Sequence, residues 1–345
     1  MIVITKKDST IIKGFAILMM IIHHAWNPQL IGIISIIPGH ISSDWLFNTI
    51  SSYCKICVAV FAFLSGWAFW EAKNKFISYK YIVNKCLHFL TSYWIVALIF
   101  IIVGYLTSDK LPTFKIAILN LFGFEVGVKE IMHYDYVNVV FAWYVRFYIA
   151  VLLTIPLILK IIEKTNILLV FLAIYILCIL TQNSELYLVK KLLHVYFQWI
   201  PCVVIGIYCN RNKWLDKINE YNNFIILLTL LCFLLLRHFK SELYGGISID
   251  CIIVVFFIFY LNKLCNYISS YGHKIEHIFI FLGTLSMNIW YCHSIFFLPS
   301  HKWSWLINNS QNCFIILFST IILSIPFALL SNYIQQKIIN KISIK

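Results

Sequence analysis

Residues 11–26 read IIKGFAILMMIIHHAW. Apart from Lys13 and the paired His23 and His24, every residue is apolar or small, which is what a helix in hydrocarbon requires. A soluble helix would show charge on one face every three or four positions. No such face is present. Runs of the same kind recur along the chain at about 18–22 residues each, long enough as helix to cross about 30 Å of hydrocarbon. Ten are read, at roughly 11–32, 51–70, 86–105, 139–159, 165–181, 192–209, 223–240, 247–264, 277–298 and 312–334. The first is too long for a signal peptide, lacks a small-residue cleavage site and is followed by further spans, so it is kept as a span.

The whole chain agrees with that reading. Its 345 residues are 61% hydrophobic and 12% charged, with a mean hydropathy of +0.85. Soluble domains are nearer half apolar and a quarter charged. The expected fold is all-α: one polytopic bundle over 1–345, with no appended soluble domain. No internal repeat supports an inverted-repeat transporter.

The net charge of +13 would suggest nucleic acid in a soluble protein. In a bundle it reads as the positive-inside bias. With the N-terminus inside, 17 of the 27 Lys and Arg fall on inside segments and 8 on outside ones. Both termini are therefore expected in the cytoplasm, and an even span count agrees. The Ile- and Lys-rich, Arg-poor composition fits an AT-rich bacterial genome, as a compositional hint. The eleven cysteines are scattered through the spans. Cys54 and Cys57 form a CxxC with no second pair nearby, so they read as small apolar packing residues rather than a redox or zinc site, and no metal is expected.

The longest connection, about 106–138, contains the amphipathic TFKIAILNLFGF, too short to span. It reads as interfacial or re-entrant, continuing through Glu125, Glu130, His133 and Asp135 as a surface loop or a lid.

Ionisable side chains inside spans are costly and mark functional candidates. Six are read: His23, His24, Lys55, Arg146, Asp250 and His293. At 1.5 Å per residue all fall in the middle or outer half. His23 and His24 point about 100° apart, so they face different partners. Histidine suits proton transfer near neutral pH, and His24 is chemically able to deprotonate an acceptor hydroxyl or take an acyl group itself. Lys55 and Asp250 are close enough to outer ends to reach the interface. Arg146 sits in the aromatic run AWYVRFYIA, where stacking or an anionic partner is open to it.

These residues resemble the membrane acyltransferase-3 family, bacterial proteins of about ten spans that acylate cell-surface carbohydrates. Lys13-Gly14 leading to His24 is similar to the opening helix, in which a histidine follows a basic residue by eleven positions. FAFLSGW at 61–67, WYVRFYIAVLLTIP at 143–156 and SMNIWYCH at 286–293 are similar to further family segments. The family's paired arginines ahead of a Tyr near the start of span three are replaced. In KYIVNKCLHFLTSYW, aligned on Tyr93, Lys85 and His88 stand there. The resemblance implies acetyl-CoA or another acyl-CoA as co-substrate, bound through Lys85, His88 and the path beside Ser65 and Gly66. It implies a carbohydrate acceptor, with His24 as base or acyl carrier and Arg146 and His293 positioning substrate or stabilising an oxyanion. Asp8 matches the acidic lead-in of the first helix and equally suits an N-cap. The rival class is a glycan or lipid transporter without acyl chemistry.

Overall fold

The structure, a computed structural model, describes residues 4–26, 45–106, 114, 118, 121, 123, 143–186, 193–240, 242, 246–296 and 313–342. These are helical throughout apart from turns and one isolated bridge, Glu242–Ser248. In chain order the helices are α1 (Lys6–Ala25), α2 (Trp45–Cys54), α3 (Cys57–Glu71), α4 (Tyr79–Leu106), α5 (Trp143–Lys164), α6 (Ile167–Gln182), α7 (Val195–Arg211), α8 (Trp214–Asn219), α9 (Asn223–Phe239), α10 (Asp250–Tyr271), α11 (His273–Cys292) and α12 (Cys313–Ile342). Short 3-10 turns run over Lys75–Ile77 and His293–Phe296.

Among the described residues six helical stretches are long and apolar enough to cross a membrane: Leu46–Glu71, Tyr79–Val103, Trp143–Lys164, Asp250–Tyr271, His273–Phe296 and Phe314–Ile339. Two shorter apolar helices, α6 and α9, accompany them. The chain is a helical membrane protein. Leucines on these helices stay open, Leu157 by 61% and Leu168 by 74%. Such surfaces have no apolar cover among the described residues, as lipid-facing helices require. Residues 27–32, 139–142, 192, 297–298 and 312 of the expected spans lie outside the described residues. So do the loop residues Glu125, Glu130, His133 and Asp135, and most of TFKIAILNLFGF.

Local chemistry sets several helix ends. α1 starts five residues before the apolar run because Thr5 and Asp8 close a capping box. The Asp8 carboxylate accepts from the Thr5 amide at 2.9 Å and the Thr5 hydroxyl accepts from the Asp8 amide at 3.1 Å. The N-cap is thus Thr5, and Asp8 is its reciprocal partner. Asn166 and Asn222 cap α6 and α9 by accepting from Leu168 and Phe224 amides. At the end of α5, Arg211 donates to the carbonyls of Ile162 and Glu163, which have no helical donor left.

The chain forms two compact units: Met1–Ala16, Ile56–Ile82 and Ile149–Gly283; and Ile17–Lys55, Val83–Tyr148 and Thr284–Lys345. In the first, α3 and α7 meet through glycines. A Cβ on Gly66 would run into the Val203 carbonyl, and one on Gly206 into that of Phe63. Close backbone approach replaces side-chain interdigitation, a device suited to lipid, where apolar burial alone gives helices little reason to associate. The same unit encloses the ion pair of Arg237 and Asp250, with side chains 2% exposed each. Guanidinium Nε and Nη2 address the two carboxylate oxygens separately. Asp250 therefore does not reach out to the interface. It begins α10 held by the last turn of α9.

The second unit contains the ends of α1 and α11 with α2, most of α4, the start of α5 and α12. Its interior carries a polar node in which the Asn288 side-chain oxygen accepts from Ser92 and from Ser331. An aromatic group surrounds Tyr291, with Tyr93 at 5.4 Å and Phe89 at 6.2 Å between ring centroids, both edge-on. Trp26, Phe47 and Phe314 form a second group, each pair edge-to-face.

Candidate active site

The last turn of α1 presents its two histidines differently. His23 is half-buried and its Nδ1 lies 2.9 Å from the Ser51 carbonyl, while the Ser51 hydroxyl donates back to the His23 carbonyl at 2.9 Å. A carbonyl only accepts, so Nδ1 of His23 carries the proton. This reciprocal pair ties α1 to α2. The 100° step then turns His24 the other way. His24 is buried, and its Nδ1 lies 2.7 Å from Nε2 of His293, with rings 4.9 Å apart and 10° from parallel.

The protons on this pair follow from one fixed point. His293 Nδ1 is 2.5 Å from the Trp290 carbonyl. That oxygen accepts, so Nδ1 of His293 is protonated and, in the neutral ring, Nε2 is a bare acceptor. His24 must then donate through Nδ1. Its own proton is committed there, and its remaining lone pair is on Nε2. The chain Trp290 carbonyl, His293, His24 thus selects one tautomer of His24 and makes Nε2 the basic atom, as a buried carboxylate does for the histidine of a hydrolase triad.

The backbone that sets this arrangement is the change from α11 to the 3-10 turn at His293. Trp290 is anchored by Tyr144, stacked on its ring at 4.7 Å. Tyr144 belongs to the first turn of α5, two residues before Arg146. Arg146 is half-buried in this aromatic neighbourhood. Lys85 and His88 lie exposed near the start of α4. His88 is held by Gln335 of α12, whose amide nitrogen donates to its carbonyl at 2.9 Å and meets its Nδ1 at 3.3 Å. Ser65 belongs to the first unit, where its hydroxyl donates to the Phe61 carbonyl at 2.8 Å. Lys55 lies at the break between α2 and α3. Cys54 and Cys57 are each buried free thiols.

Of the expected site residues, His24 and His293 are in direct contact. The fold adds residues that the sequence reading passed over: Ser51, the Trp290 carbonyl, Tyr144, Gln335 and the Ser92–Asn288–Ser331 node. The last carries a readable signal, since each is a polar residue interrupting an apolar run. The backbone carbonyl carries none.

A family model described as an acyltransferase domain, that of the acyltransferase-3 family, matches residues 7–332. The chain belongs to the acyltransferase-3 family. It is on that ground a membrane acyltransferase, and both histidines lie within the matched residues. No curated protein and no solved structure is found to be similar.

Proposed function

We propose that this acyltransferase-3 protein moves an acetyl group from acetyl-CoA to a hydroxyl of a cell-surface or lipid-linked carbohydrate. In this reading it sits in the bacterial cytoplasmic membrane as ten spans with both termini inside. The observation that carries the reading is the His24–His293 contact. A buried imidazole whose tautomer is selected by a second histidine has one basic nitrogen and no alternative for it, which suits abstraction of a hydroxyl proton.

The step runs as follows. Nε2 of His24 takes the proton of the acceptor hydroxyl as its oxygen attacks the thioester carbonyl. The imidazolium is stabilised by donating through Nδ1 to His293. When the C–S bond breaks, the proton returns to the departing thiolate, giving CoA thiol and the O-acetyl ester. Lys85 and His88 supply cationic and hydrogen-bonding character for the donor's phosphates at the cytoplasmic end. Lysine does so as a point charge, without the bidentate fork of arginine. Arg146 positions the acceptor.

The test is acyl transfer by purified protein in liposomes with radiolabelled acetyl-CoA and a polysaccharide acceptor. Label moving to the glycan supports the reading. Transport of the glycan with no covalent label would favour the transporter class instead.

A further inference from the structure

Six hydroxyls in the apolar helices of this protein share one device. Ser65, Thr91, Thr154, Thr181, Thr320 and Ser324 each donate to the carbonyl four residues earlier. This back-bonding is one way a serine or threonine lives in a helix away from water, and a side-chain acceptor such as that of Asn288 for Ser92 and Ser331 is another. Ser294 has neither. It is wholly buried, and among the described residues its hydroxyl oxygen has no hydrogen-bond partner. Ser294 lies in the 3-10 turn that follows α11 rather than in an α-helix, and the carbonyl four residues earlier is that of Trp290, which takes the short bond from His293 Nδ1.

Three residues earlier, Tyr291 is 1% exposed and its hydroxyl is likewise without a partner among the described residues. Positions three apart share a helix face, the more so where the helix tightens to 3-10 geometry. Two orphan hydroxyls therefore occupy one face of the turn that carries His293. Each orphan costs about 1–3 kcal/mol in desolvation that nothing among the described residues returns. Such groups in a native protein mark places completed by something else.

We propose that Ser294 is the hydrogen-bond donor for the carbonyl oxygen of the acyl group in transfer. This rests on the acyl-transfer reading of His24 above. As the acceptor oxygen forms its bond to the thioester carbon and its proton passes to His24 Nε2, the carbonyl π pair moves onto oxygen. Ser294 donates to that oxyanion. On collapse the pair returns to the C=O bond, the C–S pair leaves on sulfur, and sulfur takes the proton from His24. The hydroxyl stands one residue from His293, which accepts from His24 of α1, so the residue that orients the base and the oxyanion donor share one turn, and donors of this kind act most strongly in a water-excluded site.

The test compares wild type, His24→Ala, Ser294→Ala and Ser294→Thr in liposomes, each with kcat, donor KM and thermal midpoint. The expected result for Ser294→Ala is a kcat lowered about 10²-fold, an unchanged donor KM and an unchanged or higher midpoint, since the hydroxyl lost has no partner among the described residues. Ser294→Thr, which keeps the hydroxyl, recovers most of the rate. Wild-type kcat in Ser294→Ala, with His24→Ala inactive, overturns this inference and leaves the acyl-transfer reading standing. A lowered midpoint in Ser294→Ala overturns it too, by showing a structural bond. No transfer by wild type overturns both.

Discussion

His24 and His293 are 269 residues apart in sequence and meet through Nδ1 and Nε2 at 2.7 Å, with His293 fixed in turn on the Trp290 carbonyl at 2.5 Å. His293 accepts a hydrogen bond from Nδ1–H of His24, which leaves the lone pair of His24 on Nε2.

Removing His293 should therefore act on the rate through His24. In His293→Ala the Nδ1–H of His24 loses its acceptor, and the ring is free to carry its proton on either nitrogen. A fall in kcat of about 10²–10⁴-fold is expected, the range of a general-base contribution, with donor KM within a few-fold of wild type. His293→Gln, whose amide oxygen can still accept, should retain more activity than His293→Ala. Equal loss in both variants would mean that the accepting function is not what matters. Initial rates in liposomes decide it.

His23 should give the opposite pattern. It is tied to Ser51 by reciprocal bonds near 2.9 Å, an anchoring task. His23→Ala and Ser51→Ala should each lower the thermal midpoint in detergent, by about 1 kcal/mol per lost hydrogen bond. The kcat of the folded fraction should stay within a few-fold of wild type. A full-length midpoint with abolished kcat would show that His23 does the chemistry.

The Arg237–Asp250 pair makes a prediction about folding alone. Both side chains are 2% exposed, so Arg237→Ala or Asp250→Ala strands a buried charge, at a cost of about 3–5 kcal/mol. Either single variant should reach the membrane at low level and unfold early. The double variant Arg237→Met with Asp250→Leu should recover much of the loss, because it removes both charges together. Recovery no better than the singles would mean that the pair has a role besides mutual neutralisation.

Lys85 tests the donor end. If its ammonium holds a phosphate of the donor, Lys85→Ala should raise the donor KM about tenfold, the loss of one charge-assisted contact of about 1.4 kcal/mol, and leave kcat nearly unchanged. Lys85→Arg should match or better the wild-type KM. An unchanged KM in Lys85→Ala would reduce the residue to an interfacial anchor.

The helices were readable because lipid imposes one simple demand, an unbroken apolar run. Their ends were less so. α1 begins at Lys6 because of a capping box four residues long, a signal that hydropathy overlooks. Gly66 reads, with Ser65, as a place of close backbone approach, and the backbone that approaches is that of Val203; Gly206 was quiet in the sequence, since its importance lies in the opposing backbone of Phe63. Arg237 was counted as an outside-loop charge and Asp250 as an interfacial one. Each sits near a helix end where both readings hold, and only the turn between α9 and α10 brings them together. His24 and His293 stood out as ionisable groups at compatible depth. Their contact did not, because no spacing rule links positions 24 and 293. The proton order on them depends on a backbone carbonyl, which every residue has and no sequence pattern distinguishes.

The most direct measurement of the central claim is single-turnover acyl transfer by wild type and His24→Ala at matched membrane level, with radiolabelled acetyl-CoA and glycan acceptor. The account predicts labelled glycan from wild type and none above background from His24→Ala. Transfer at the wild-type rate by His24→Ala would contradict it.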